Sequence, residues 1–201
     1  MIVQQPEADT CQAPVCESSD LLLGFVNTRA LAGTADLLTS PEDLSAWLDR
    51  TGLAGAGSPV TGADVLAARE LRDAFTMIFR AHSGCADGER ALPAAEEYIQ
   101  RIADRYPLVP RLSAEGYRLV PAHGGVLGGF AALFAAAVDL AARGGWARLK
   151  VCKNPSCYTG FFDKTRNSSG LYCSAACSTR MAARAYRSRN KKTGELDAPA
   201  V

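Results

Sequence analysis

Four cysteines near the end of the chain constrain this sequence more than any other feature in it. They stand as Cys152-x4-Cys157 and, after fifteen intervening residues, Cys173-x3-Cys177. Four thiolates in two close pairs can supply the closed tetrahedral site of a structural zinc ion. Asn154-Pro155 provides a turn that brings the first pair inward. Ser174 can cap a helix whose first turn carries Cys173 and Cys177 four residues apart on one side. The positive end of that helix favours thiolate over thiol. A zinc ion with four thiolates carries a charge of −2, and Lys150, Lys153 and Arg180 stand close in sequence to offset it. The competing reading is four incidental buried cysteines or two disulfides. The total of seven cysteines is odd, which does not suit a fully paired framework. Cys11, Cys16 and Cys85 have no second pair beside them and read as free thiols.

Between the two pairs, Phe161-Phe162 and Leu171-Tyr172 flank Asn167-Ser-Ser-Gly170 in a hairpin pattern. A strand at Arg148–Cys152, a knuckle, a hairpin and a helix bearing the last ligands is the order of a treble-clef zinc finger.

The net charge of +1 conceals a steep asymmetry. Residues 1–142 hold 10 basic and 18 acidic side chains, whereas residues 143–192 hold 12 basic residues and a single acid, Asp163. An anionic partner would therefore meet the second part. Arg180, Arg184, Arg187 and Lys191 recur at intervals of four, three and four, so they share one helix face. Such a face is suited to nucleic acid. The alternative is a solvated charge run that simply complements the helix dipole.

The rest of the chain reads as helical, with the apolar faces of at least four helices able to bury a core. A first helix is expected after Ser18 or Ser19, ending near Gly33. A second starts with Ser40 as cap and Pro41 at the first position, and stops at Gly52. Thr61 caps a third that ends near Gly84, and a fourth spans Pro93 to Arg105. Leu108–Leu112 and Tyr117–Pro121 form a short hairpin. The apolar run at Gly124–Val138 is shorter than the ~20 residues that span a bilayer and reads as a core helix. Nothing in Met1–Asp9 looks like an export signal, so a cytoplasmic location and no membrane partner are expected.

Three further features bear on chemistry. His82 and His123 sit in separate segments without a cysteine or carboxylate pattern, and no catalytic residue is assigned; the chain is not expected to be an enzyme. Gly124-Gly125 and Gly128-Gly129 lack the Lys-Ser/Thr of a phosphate loop and fit close helix packing. Asn27 follows apolar Phe25 and Val26, so its amide must find partners or face a cavity. It either ties two helices together or borders, with Arg29, a ligand pocket.

The chain also resembles the CGNR zinc-finger proteins. Phe25-Val-Asn-Thr28, Asp36-Leu-Leu38, Pro41-Glu-Asp-Leu44, Trp47-Leu48 and Gly52-Leu53 carry the N-terminal resemblance. Cys152, Cys157, Phe162-Asp163, Arg166-Asn167, Cys173-Ser174 and Cys177 carry the C-terminal one, over roughly residues 20–190 in all. The chain departs from the family where Gly-Asn-Arg follows the last cysteine, having Ser178-Thr179-Arg180. The resemblance implies an N-terminal helical ABATE domain and a role in stress-induced transcription regulation.

The expectation is therefore a mainly α protein. It has a multihelical domain with one short β-hairpin at 18–145 and a small treble-clef-like zinc finger with a basic C-terminal helix at 146–192. Residues 1–17 and 193–201 are expected to be mobile. One structural zinc is expected on Cys152, Cys157, Cys173 and Cys177, with duplex DNA on Arg180, Arg184, Arg187 and Lys191. The helical domain would sense a small-molecule effector at Asn27 and Arg29 or mediate self-association. The rival reading is a zinc-finger adaptor that docks protein or RNA.

Overall fold

Local capping sets several of the helix boundaries. The computed structural model describes residues 13–31, 33–53, 58–114 and 116–196, with side chains described between 17 and 190. Helix α2 (Pro41–Thr51) opens with a capping box: the Ser40 hydroxyl accepts from Asp43 N–H, and the Asp43 carboxylate accepts from Ser40 N–H. It closes on Gly52, whose φ of 67° is the left-handed turn glycine allows. Helix α3 (Gly62–His82) repeats the box with Thr61 and Asp64.

Two helix starts differ from expectation. Helix α1 (Ala13–Val26) begins upstream of Ser18 and Ser19. Ser19 is buried, and the Ser18 hydroxyl donates to Asp139 at 2.9 Å instead of capping a helix end. The helix also stops before Gly33. Thr28 turns its hydroxyl back to the Phe25 carbonyl at 2.7 Å, and an irregular segment leads to Ser40. Helix α4 (Ala86–Ala103) begins seven residues before Pro93, which lies inside it. Gly88 explains the early start. A Cβ there would lie 2.5 Å from Ala81 N, so glycine lets α4 cross tightly over the end of α3. The expected mobility of 1–17 falls largely outside the described residues, as does Cys11. At the other end the helical backbone continues to Leu196.

Strands β1 (Leu108–Ser113) and β2 (Gly116–Pro121) form the expected antiparallel hairpin, with Leu112 opposite Tyr117. Helix α5 (Gly125–Ala142) is long and apolar enough by length and composition to cross a membrane. In this fold one side of it packs into the core, with Phe130, Leu133 and Leu140 fully buried. Gly129 sits against α2, where a Cβ would meet Leu48 at 2.6 Å.

A single 3-10 turn (Trp146–Arg148) leads to β3 (Leu149–Val151), which pairs antiparallel with β4 (Gly160–Phe162), Val151 opposite Gly160. The expected hairpin of Phe161-Phe162 with Leu171-Tyr172 is therefore corrected. Phe161 and Phe162 pair with Lys150 and Leu149, and the Leu171 carbonyl accepts Lys153 N–H at 2.9 Å. The loop between is closed by a carboxylate rather than by a strand ladder. Helix α6 (Ala175–Leu196) ends the fold.

The hydrophobic core runs across both parts of the chain. Leu149 and Val151 of β3 are fully buried in the same cluster as Phe25, Phe75, Phe79 and Leu140. Trp146 stands edge-on to Phe79 with ring centroids 5.6 Å apart. Side-chain hydrogen bonds reinforce this joint. Ser83 at the end of α3 accepts from Val151 N–H and donates to its carbonyl, both at 2.9 Å. His82 Nδ1 lies 2.9 Å from the Leu149 carbonyl.

Candidate metal centre and the basic helix it carries

The knuckle after β3 is shaped by Asn154. Its carbonyl accepts Cys157 N–H at 2.9 Å, and its side-chain oxygen accepts Ser156 N–H at 3.2 Å. That turn folds Cys157 back toward Cys152. At the start of α6 the Ser174 hydroxyl accepts Cys177 N–H at 3.3 Å, which fixes the first turn and places Cys173 and Cys177 together.

The four sulfur atoms all lie within 4.8 Å of one another. Cys157 and Cys173 are 3.6 Å apart, Cys173 and Cys177 3.8 Å. A tetrahedral zinc with bonds of about 2.3 Å sets its sulfurs about 3.8 Å apart, so this geometry fits the ion. It does not fit disulfides, whose sulfurs are about 2.05 Å apart. Without a cation the cluster resists full ionisation. Burial and neighbouring cysteines hold the Cys173 thiol above its ordinary value, and burial does the same for Cys152. Cys177 is held below it because the Asn154 amide donates to its sulfur at 3.4 Å. The four cysteines form a site for one structural zinc.

The lysines expected to offset the metal's charge are engaged elsewhere. Lys150 is buried and donates to Asp163 at 2.7 Å and to the Ser168 carbonyl. Lys153 reaches the Gly84 carbonyl at 3.1 Å. Asp163, 1% exposed, also accepts from Thr165 N–H and hydroxyl and from Gly170 N–H. Arg148 donates to the carbonyls of Asp163 and Thr165 at 2.9 and 2.7 Å. These pins hold the 163–170 loop against the sheet, with Lys164 and Arg166 exposed on it. The Asp163 network was not foreseen from sequence, although a lone acid in so basic a segment was its signal.

Beyond Cys177, α6 stands largely in solvent. Arg180, Arg184 and Arg187 are exposed, while Met181 and Ala183 are half-buried. Lys191 lies on the helical backbone, but its side chain falls outside the described residues. Twenty-two residues at about 1.5 Å each make a rod of about 33 Å.

Asn27 and Arg29, expected to border one polar site, point to different partners. The Asn27 amide donates to the Gly160 carbonyl at 3.0 Å and accepts Gly160 N–H at 2.7 Å. It thereby clasps the end of α1 to β4 across 133 positions of sequence. Gly160 permits this approach, since a Cβ there would lie 3.2 Å from the Asn27 oxygen. Arg29 turns instead toward Tyr158, its guanidinium carbon 5.9 Å from the ring centre.

Two family models match this chain. The one described as "ABATE: Putative stress-induced transcription regulator" covers residues 19–144, and the CGNR zinc finger covers residues 148–190. The chain belongs to the ABATE family. A search of curated proteins finds no match. The boundary between the two models falls just before β3, so the CGNR finger contributes Leu149 and Val151 to the core of the ABATE domain.

Proposed function

We propose that the protein is a DNA-binding transcription regulator in which α6 lies against the duplex and the ABATE domain senses a ligand. The observation that carries this reading is the exposed basic face of α6, anchored at its first turn by the zinc site through Cys173 and Cys177. Arg180, Arg184, Arg187 and Lys191 contact phosphates, and Lys164 and Arg166 extend the cationic surface on the braced loop. The acidic excess of the helical domain turns the opposite surface away from the backbone.

Each phosphate contact steepens the dependence of log K on log salt by about 0.9, so four contacts give a slope of roughly −3 to −4. Titration of duplex DNA between about 50 and 200 mM salt tests this. Arg184→Ala with Arg187→Ala should weaken binding and flatten the slope by about 2 without releasing zinc. Affinity that ignores both salt and the two arginines refutes the proposal and favours a protein-docking adaptor.

A further inference from the structure

The turn after α1 and one stripe of α3 enclose a row of arginines that neither the zinc centre nor α6 uses. Arg72, Thr76 and Arg80 follow one another at intervals of four on α3 and so share a face. They are 4%, 0% and 9% exposed, on a helix whose other buried positions are almost all apolar. The two ends of this row are neutralised. Arg72 makes a two-pronged contact with Asp36 at 2.8 and 2.7 Å and reaches the Thr28 hydroxyl at 3.2 Å. Arg80 pairs with Asp87.

The middle of the row is not neutralised. Arg29 enters there from the turn after α1, half-buried, and among the described residues its guanidinium makes no hydrogen bond and no ion pair. Burial lowers its pKa, and the charges of Arg80 and Arg72 lower it further. Asp73, an exposed residue, opposes them through space. The Nε atoms of Arg69, Arg72 and Arg80 are buried without a partner. Arg69 and Arg72 thus share Asp36, Arg80 takes Asp87, and Arg29 has only the through-space attraction of Asp73. A half-buried guanidinium without a hydrogen-bonded counter-charge is stabilised when one joins it. The finger brings Tyr158 to these arginines, its ring centre 4.8 Å from the Arg80 guanidinium carbon and 5.9 Å from that of Arg29.

We propose that Arg29 and Arg80, both beside the Tyr158 ring, bind the oxyanion head, a carboxylate or a phosphate, of a small-molecule ligand. This rests on the ligand-sensing half of the function proposed above and gives it a chemical class and a place. Guanidinium groups match such heads through paired N–H donors. The site also has a route to the finger. Tyr158 immediately follows Cys157 and holds a φ of 56°, a strained conformation that persists only where its surroundings enforce it. An anion that draws Arg29 and Arg80 toward it changes their contacts with the Tyr158 ring, and through Tyr158 the zinc knuckle.

The test is thermal unfolding of the zinc-loaded protein in inorganic phosphate, in acetate and in chloride at matched ionic strength. At an oxyanion concentration tenfold above Kd, the midpoint should rise by roughly 3–6 °C relative to chloride. The salt that responds identifies the head group. Arg29→Gln should abolish the rise, while Arg184→Ala with Arg187→Ala should keep it. Should Arg29→Gln fail to fold, Arg29→Lys must weaken the response, since an ammonium lacks the paired donors. No rise in either oxyanion overturns the proposal, as does a rise retained without Arg29 or lost with the α6 arginines. Duplex binding is measured separately, so absence of DNA binding with an Arg29-dependent rise would fail the regulator reading and leave this site standing.

Discussion

Replacing Lys150 by Met should be among the more destabilising single changes in the finger, although it touches no zinc ligand. Lys150 is 4% and Asp163 1% exposed, and their contact is 2.7 Å. Burial alone would raise the Asp163 pKa. The Lys150 ammonium, the Thr165 hydroxyl and the N–H groups of Thr165 and Gly170 outweigh it and hold the carboxyl well below the usual carboxylate range. Methionine preserves the packing volume but leaves a buried carboxylate without its counter-charge, which costs about 3–5 kcal/mol. For a chain of this size about 2–4 °C of melting temperature is lost per kcal/mol, so a fall of roughly 6–20 °C is expected. Removing the acid as well should not restore stability, because the N–H groups of Thr165 and Gly170 would lose their acceptor. Thermal denaturation followed by circular dichroism, with zinc content measured on the same samples, reads both effects. A fall of only a few degrees for Lys150→Met, or recovery in a Lys150→Met, Asp163→Leu double variant, would refute the reasoning.

Elemental analysis of the purified protein should find one zinc per chain, and a Cys173→Ser, Cys177→Ser double variant should lose it. Chelation should raise hydrogen exchange in residues 152–178 and also at the ends of α1 and α3, where Asn27 and Ser83 grip the finger; α2 and the β1–β2 hairpin should stay protected. His82 adds a pH dependence: burial holds its imidazole below the usual histidine value, so the folded state resists the proton that the unfolded chain accepts near pH 6.5. Its contribution is present above about pH 6.5 and is lost as pH falls below it. Denaturant unfolding at several pH values should therefore show a shallower acid loss for His82→Gln than for the natural protein, a difference that zinc release, common to both, does not create.

What the sequence determined by itself is what short-range physics controls. Capping boxes act over three residues, so Ser40 with Asp43 and Thr61 with Asp64 mark helix starts without any knowledge of the fold. The same holds for Gly52 as a left-handed stop and for the four cysteines, whose spacing within two short segments suffices to predict a tetrahedral site. Tertiary structure decided everything that depends on partners distant in the chain. Gly88 argues against a helix locally, yet α4 includes it because packing on α3 rewards a residue without a Cβ. Phe161 and Phe162 could pair with either neighbouring apolar pair, and burial of Leu149 and Val151 in the helical core selected β3. Asn27 is polar beside an apolar run, which announces that it needs a partner but not which one; the Gly160 peptide that satisfies it lies 133 residues away. Lys150 and Arg29 show the same limit for charge. A side chain's type fixes what it must find, whereas its partner is fixed by which backbones the core brings together.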